Sequence, residues 1–410
     1  MAHIPPDMKF AIIRERKNPP DRRVVFSPDA LVELRETFPQ AEIKVESSPI
    51  RVFTDDQYRE KGFEVSDDVS DCDVFLGVKE VPIASLIPGK KYFFFSHTIK
   101  EQPHNQKLIQ AILEKQIDLY DHETVVNEKH VRLIGFGRYA GIVGAYNGLR
   151  AFGIKYELFD LPKAETLHGQ AEMETKAKRV MLPPIKIVLT GFGKVGKGAQ
   201  DFLDAIKIRQ VSAEDFLNKR YSDPVYTHID VLDYNKRIDG QPGKKADFYE
   251  HPGQYESDFE KFSKVADIFM AGHFYGNGAP VILSREALRK ADNKIKVVAD
   301  ISCDVDGPIA STIRSSTIAD PLYGYSASED KEVDVFHPSA IVVMAVDNLP
   351  CELPKEASEG FGRMFLDHVM PAFFNNDKDG VLERALITKN GQLTPHFSYL
   401  EAYAHQEVAK

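Results

Sequence analysis

A chain of 410 residues with 43% hydrophobic and 28% charged residues has ordinary globular composition, which excludes a disordered chain and, at roughly 100 to 200 residues per domain, predicts two or three domains. The 52 Lys and Arg against 62 Asp and Glu leave a formal net charge of −10, the wrong sign for coating nucleic acid or an anionic membrane, so a small-molecule ligand is expected and no nucleic-acid partner. Met1–Asp7 carries no basic run ahead of an apolar stretch, no window approaches about 18 unbroken apolar residues, and the three cysteines are too scattered for a disulfide framework or a metal site. A cytoplasmic protein without membrane contact is the expectation.

In chain order, Lys9-Phe-Ala-Ile-Ile-Arg14 reads as a strand, and Ser27-Pro28 as N-cap and first position of a helix. Glu42–Glu46, Asp73–Lys79 and Tyr92–Phe95 read as further strands, with helices over Asp55–Gly62 and Gln102–Lys115. This alternation predicts a parallel sheet covered on both faces. The glycine-rich stretch Gly135–Gly148 opens a helix that joins two domains. A second alternating series starts at Ile185–Thr190, with a strand over Ile206–Val211, a polar insertion over Ser212–Tyr255, and strands over Val265–Met270, Lys296–Ile301 and Ala340–Val346. The tail from Pro354 reads as helical, without a strand series of its own, and is expected to pack on the first domain. The fold class is therefore α/β, two Rossmann-like doubly wound domains with a cleft between them. The first domain takes 1–138 plus 350–410, with the substrate and catalytic groups; the second takes 139–349 and binds the dinucleotide.

The most specific motif is Thr190-Gly191-Phe192-Gly193-Lys194-Val195-Gly196, in GxGxxG spacing after a strand and before a helix over Ala199–Ala205. Its glycines permit a tight turn, a close approach of backbone to a pyrophosphate and close packing of helix on strand. The acidic residue expected about 20 positions on, which would grip a ribose 2′-hydroxyl, has no clean counterpart, because Glu214 and Asp215 are displaced and Arg209 is nearby. NAD versus NADP stays open. A second signal is the set Arg14, Lys79, Glu80, Ser96 and His97 at strand C-termini, with Asp121, Glu123 and Arg132 further on. Open α/β sheets place their ligands at that edge, and His and Lys there suit acid–base work on a carboxylate-bearing substrate. Asp300, Asp304 and Asp306 lack the spacing of a calcium loop, and the histidines lack that of a zinc site, so no metal is expected.

Gly77-Val-Lys-Glu80, Phe94-Phe-Ser-His-Thr-Ile-Lys100, Phe136-Gly-Arg-Tyr-Ala-Gly141, the glycine-rich turn, Ala299-Asp-Ile-Ser302 and Asp347-Asn-Leu-Pro-Cys-Glu-Leu-Pro-Lys-Glu-Ala357 together resemble the saccharopine dehydrogenases. The resemblance is greatest to the lysine-ketoglutarate reductase half of the bifunctional lysine-degrading enzymes, and more distant to alanine dehydrogenase and transhydrogenase. It implies Lys79 and His97 as the acid/base pair, Arg14 and Arg132 as ligands of substrate carboxylates, and Glu80 and Glu123 as carboxylates that tune the site and meet a substrate amine. It also implies an acid at Asp300 or Asp304, which alignment by eye does not separate, and a nicotinamide-side loop at Asp347, Asn348 and Leu349.

The implied activity is reversible, NAD- or NADP-dependent reductive condensation of L-lysine and 2-oxoglutarate to saccharopine, through an imine reduced by hydride. The alternatives are an alanine dehydrogenase acting on pyruvate and ammonia, which gives no reason for Glu80 and Glu123, and a dinucleotide-binding protein without turnover. Oligomeric state and direction of flux are not fixed by the sequence.

Overall fold

The structure, a computed structural model, describes residues 8–406. Both Met1–Asp7 and the last four residues of the expected first domain lie outside the described residues. Two units divide the chain, one running to Phe136 and again from Pro354, the other covering Gly137–Leu353.

The first unit opens with β1 (Met8–Ile12), α1 (Pro28–Thr37), β2 (Ala41–Glu46), α2 (Asp55–Glu60), β3 (Glu64–Ser66), β4 (Val74–Lys79), β5 (Lys91–Phe95), α3 (Gln106–Glu114) and β6 (Asp118–Asp121). Ser27 caps α1 by accepting the Ala30 N–H at 3.2 Å, with Pro28 in the first turn, as the dipeptide predicts. The expected helix over Gln102–Lys115 starts only at Gln106, after a single tight turn at Pro103–Asn105. The six strands lie in the order β3-β2-β1-β4-β5-β6, and every pairing among them is parallel. Phe10, Ala11, Ile12, Val74, Phe75, Leu76, Phe93 and Phe94 are buried, the near-continuous apolar runs that a sheet covered on both faces requires.

The second unit follows with α4 (Gly137–Lys155), α5 (Gln170–Lys178), β7 (Lys186–Thr190), α6 (Lys194–Ala205), β8 (Arg209–Gln210), α7 (Ala213–Asn218), β9 (Val225–Ile229), α8 (Val231–Tyr234), β10 (Asn235–Arg237), α9 (Lys245–Glu250), β11 (Tyr255–Ser257), β12 (Ile268–Ala271), β13 (Val297–Asp300), β14 (Leu322–Ser326), β15 (Lys331–Val333) and β16 (Ile341–Met344). Its sheet runs β8-β9-β7-β12-β13-β16-β14-β15, parallel except where β14 and β15 close one side. Two expectations are corrected here. The strand beside β7 is β9, not the expected strand over Ile206–Val211, of which only the exposed pair Arg209–Gln210 joins the sheet, at its edge. The helix of the glycine-rich turn starts at Lys194, not Ala199. Lys207 and Arg209 make the earlier run unfit for an interior position, whereas Val225, Tyr226, Thr227 and Ile229 are buried. The segment Ser212–Tyr255 therefore supplies an interior strand as well as the separate hairpin of β10 and β11.

The chain then returns to the first unit through the helix Pro354–His368, where the Ser358 hydroxyl accepts the Val24 N–H at 3.0 Å and Phe365 meets Phe26 edge to face. The tail is not purely helical, because β17 (Leu386–Lys389) pairs antiparallel with β6 and β18 (Gln392–Leu393) pairs with β17. Among the described residues no helix is long and apolar enough to cross a membrane.

Candidate active site

Parallel pairing puts the C-terminal ends of β1, β4, β5 and β6 on one edge of the first sheet, and chain order reverses between β1 and β4, the position at which such sheets bind ligands. Lys79 ends β4 and Glu80 follows it; His97 follows β5 and Glu123 follows β6. Arg14, Glu15, Lys79 and Glu80 line one small recess at this edge. Arg14 pairs with Glu46 (Nε to Oε1, 3.8 Å) and its side chain is partly exposed. Lys17 holds one oxygen of Glu80, while the other, Oε2, is buried without a hydrogen-bond partner among the described residues, an acceptor left open where burial makes an unmade bond costly.

His97 Nδ1 lies 2.6 Å from Glu123 Oε1 and 3.2 Å from Lys100 Nζ. An ammonium cannot accept a proton, so the shorter contact fixes the tautomer: Nδ1–H donates to Glu123 and Nε2 is left as the basic nitrogen. Lys100 at 3.1 Å and Arg132 at 2.9 Å complete the surroundings of Glu123. Burial pushes the Glu123 carboxyl up, but the His97 hydrogen bond and the charges of Lys100 and Arg132 outweigh it and bring the group to about 2. Glu123 is thus ionised throughout the neutral range. Lys100 was not among the expected site residues, although it closes the same Phe94–Lys100 motif.

His97 has φ 56°, a left-handed conformation that a non-glycine residue keeps only when its surroundings enforce it. Asp121 does so. Fully buried, it accepts the Ser96 N–H at 2.9 Å and the Ser96 hydroxyl through one oxygen and the Glu123 N–H at 2.7 Å through the other. One carboxylate therefore pins the loops that carry both members of the His97–Glu123 pair.

Lys79 has comparable support. Glu15, also buried, accepts the N–H groups of Val78 and Lys79 at 2.7 and 2.8 Å through separate oxygens. Burial, aided by the charge of Asp21, pushes the Glu15 carboxyl up to about 7. Asp21 itself, although burial opposes it, is brought to about 2 by Arg23, which holds it with two guanidinium contacts of 3.1 and 2.7 Å and lies over the Phe136 ring. Glu15, Asp21 and Arg23 were missed because the polar run Glu15–Arg23 looks like a solvated loop; the doubled Arg22-Arg23 ahead of Val24-Val-Phe26 was the one available signal.

In the second unit the ends of β7, β9, β12, β13 and β16 likewise share an edge. Gly191 has φ +94°, and a Cβ there would fall 2.5 Å from Gly272 O. A Cβ on Gly196 would fall 1.7 Å from Gly191 O, whereas one on Gly193 meets nothing within 4 Å. The turn is therefore packed tight beneath and open above, with the N-terminus of the twelve-residue α6, which no side chain caps, at its mouth. Lys194 and Val195 form its first helical positions, and Phe192 is exposed, edge-on to His228 at 4.6 Å. His273, whose backbone abuts Gly191, shares a hydrogen bond with Thr190 through Nδ1 (2.7 Å) and leaves Nε2 buried without a partner among the described residues. These features fit a dinucleotide pyrophosphate. Replacing Gly196 by alanine is expected to abolish dinucleotide binding and lower the melting temperature, since backbone cannot yield to a 1.7 Å contact; calorimetric titration with NADH and a thermal melt measure both.

Asp230 directly follows β9, displaced in sequence because a long polar stretch precedes that strand. Asp300 and Asp304 differ sharply. Asp300 is fully buried, accepting Ser302 Oγ at 2.6 Å and Cys303 N–H at 3.0 Å through Oδ1 and Thr312 Oγ1 at 2.6 Å through Oδ2. Asp304 is half-buried, makes no hydrogen bond through its carboxyl among the described residues, and is pushed up by burial and by Asp300. Asp347 is exposed after β16, Asn348 is partly exposed, and Leu349 is buried. Among the described residues no group of three His, Cys, Asp or Glu is placed to hold a metal ion.

Residues 11–143 match the family described as alanine dehydrogenase/PNT, N-terminal domain. The chain is 28% identical to alpha-aminoadipic semialdehyde synthase of Arabidopsis thaliana over 95% of its own length and 41% of that protein. It is 26% identical to the mitochondrial alpha-aminoadipic semialdehyde synthase of Mus musculus, over 96% of itself and 47% of the relative. Against saccharopine dehydrogenase [NAD(+), L-lysine-forming] of Yarrowia lipolytica it is 22% identical, over 87% of this chain and 90% of that one. It thus spans less than half of the plant and mouse relatives and most of the Yarrowia protein. Among solved structures, an L-alanine dehydrogenase superposes with a TM-score of 0.65 at 17% identity, covering 97% of this chain and 99% of that one. A transhydrogenase from Sinorhizobium meliloti superposes with a TM-score of 0.58 at 15% identity, covering 94% and 98%. Both share its fold, two α/β units of Rossmann type. In sequence the chain is similar to alpha-aminoadipic semialdehyde synthases and to a saccharopine dehydrogenase, and in fold to an alanine dehydrogenase.

Proposed function

We propose that the chain catalyses the reversible reductive condensation of L-lysine with 2-oxoglutarate, with Lys79 and His97 as acid–base groups and the Gly191–Gly196 turn holding the dinucleotide. The observation that carries this reading is the pair of carboxylates in the first unit: Glu80 with a buried, unpaired oxygen and Glu123 braced by three basic groups. A site for pyruvate and ammonia has no use for both. A site that takes a substrate amine and several substrate carboxylates has, with Glu80 accepting from the amine and Arg14 and Arg132 facing carboxylates.

The lysine ε-amine adds to the ketone carbon, the carbinolamine loses water to give an imine, and the imine carbon takes the hydride that a bound reduced dinucleotide supplies. His97 Nε2 accepts the proton released by the attacking nitrogen and returns one to the departing hydroxyl, while Glu123 stabilises the imidazolium in between. Lys79, with its backbone fixed by Glu15, donates to the carbonyl oxygen as negative charge develops there. Acid–base catalysis of this kind supplies roughly a hundred- to ten-thousand-fold, and holding two substrates together supplies more. Asp304, with its open carboxyl, is assigned the acidic role in the second unit, and Asp300 the support of its loop.

Initial rates of dinucleotide oxidation test this. Lysine plus 2-oxoglutarate is expected to give turnover, and pyruvate plus ammonia to give little. Turnover with pyruvate alone moves the chain to alanine dehydrogenase chemistry, the alternative that the fold equally allows.

A further inference from the structure

We propose that Lys245 on α9 reads the 2′ position of the adenosine ribose jointly with Asp230, so that one site takes both NADPH and NADH. This rests on the dinucleotide reading of the Gly191 turn. The end of β9 is tied to that turn: the Gly191 N–H donates to Ile229 O at 2.9 Å, and His228 Nε2–H donates to Gly191 O at 2.6 Å. Asp230, the next residue, stands where α/β dinucleotide sites place the ribose, and a bare carboxylate there accepts from a 2′-hydroxyl and repels a 2′-phosphate.

Asp230 is not bare. Lys245 Nζ lies 2.6 Å from its Oδ2, reaching back from the helix between β10 and β11. Asp233, the other acid at this corner, is occupied with the Asp230 N–H at 2.7 Å. The Lys245 side chain is half exposed on a flexible stem, so its ammonium can stay on Asp230 when a hydroxyl is bound and turn to a phosphate when one is present. Tyr249, one turn along α9, is half exposed and lies within electrostatic reach of both Lys245 and Asp230, which offers a ring face to an adenine. Lys197 on α6 adds a second positive charge near His228.

The test compares full-length wild type with Lys245→Gln, Lys245→Arg and Asp230→Asn. Steady-state kinetics with NADH and NADPH are paired with calorimetric binding of ADP-ribose and its 2′-phosphorylated form. Loss of one charge-assisted contact is expected to raise the NADPH-to-NADH ratio of KM by about tenfold in Lys245→Gln. Arginine should restore it, and Asp230→Asn should move it the other way. A ratio within about twofold of wild type in Lys245→Gln, or failure of wild type to bind the 2′-phosphorylated nucleotide, overturns the proposal. Failure of wild type to bind either nucleotide overturns the dinucleotide reading beneath it as well.

Discussion

His97→Ala is expected to lower kcat by roughly a hundred- to ten-thousand-fold, with dinucleotide affinity changing far less. The imidazole is held by Glu123 through Nδ1, which leaves Nε2 as its basic nitrogen. Its removal leaves Glu123 with Lys100 and Arg132 as partners, so the loop keeps its charge balance and the fold survives. Stopped-flow turnover, NADH binding by fluorescence and a thermal melt together separate the outcomes. An unchanged kcat removes His97 from the mechanism, whereas a collapsed melt assigns it a structural role.

Glu15→Gln should be damaging for a different reason. Glu15 accepts two backbone N–H groups, one on each oxygen. A glutamine turns one of those acceptors into a donor, which leaves the Val78 or Lys79 N–H unsatisfied at a cost of about 1–3 kcal/mol and displaces the backbone that aims Lys79. Both a lower melting temperature and a lower kcat are expected, with less effect on the KM for the dinucleotide. The pH dependence gives a separate signature. Burial pushes the Glu15 carboxyl up to about 7 when folded, against 4.5 for an ordinary glutamate, so the folded chain holds the extra proton between those values. The unfolded chain has already released it there, and stability from this group therefore falls as pH rises from about 4.5 to 7. The upper bound on that fall is about 3 kcal/mol. Wild-type stability minus that of Glu15→Gln, followed by denaturant titration across this window, should decline with pH. A flat difference means that Glu15 is ionised throughout.

Both sheets were legible wherever apolar runs carry β-branched or aromatic residues, as in Val74–Lys79 and Lys186–Thr190, and wherever local chemistry marks an end, as at Ser27-Pro28. Failures came where sequence spacing and spatial spacing part company. Val225–Ile229 sits inside a polar stretch, so its five residues looked like an insertion and Asp230 lay well beyond the usual interval of about 20 residues from the glycine turn. Burial of charge was equally hidden. Glu15, Asp21 and Arg23 are polar letters in a polar run, and only the tertiary fold shuts them in beside Lys79. Asp300 lies at the end of the expected strand Lys296–Ile301 and Asp304 lies just beyond it, a difference that does not say which carboxyl stays open. What separates them is that Ser302, Cys303 and Thr312 saturate the first and leave the second free.

The most direct measurement is mass spectrometry of the product formed by the full-length chain from lysine, 2-oxoglutarate and a reduced dinucleotide carrying deuterium at the transferred position. A single product joining both carbon skeletons through one secondary amine, with the deuterium on the former ketone carbon, is the predicted result. Recovery of lysine and 2-oxoglutarate unchanged, while pyruvate and ammonia give deuterated alanine under the same conditions, would contradict it.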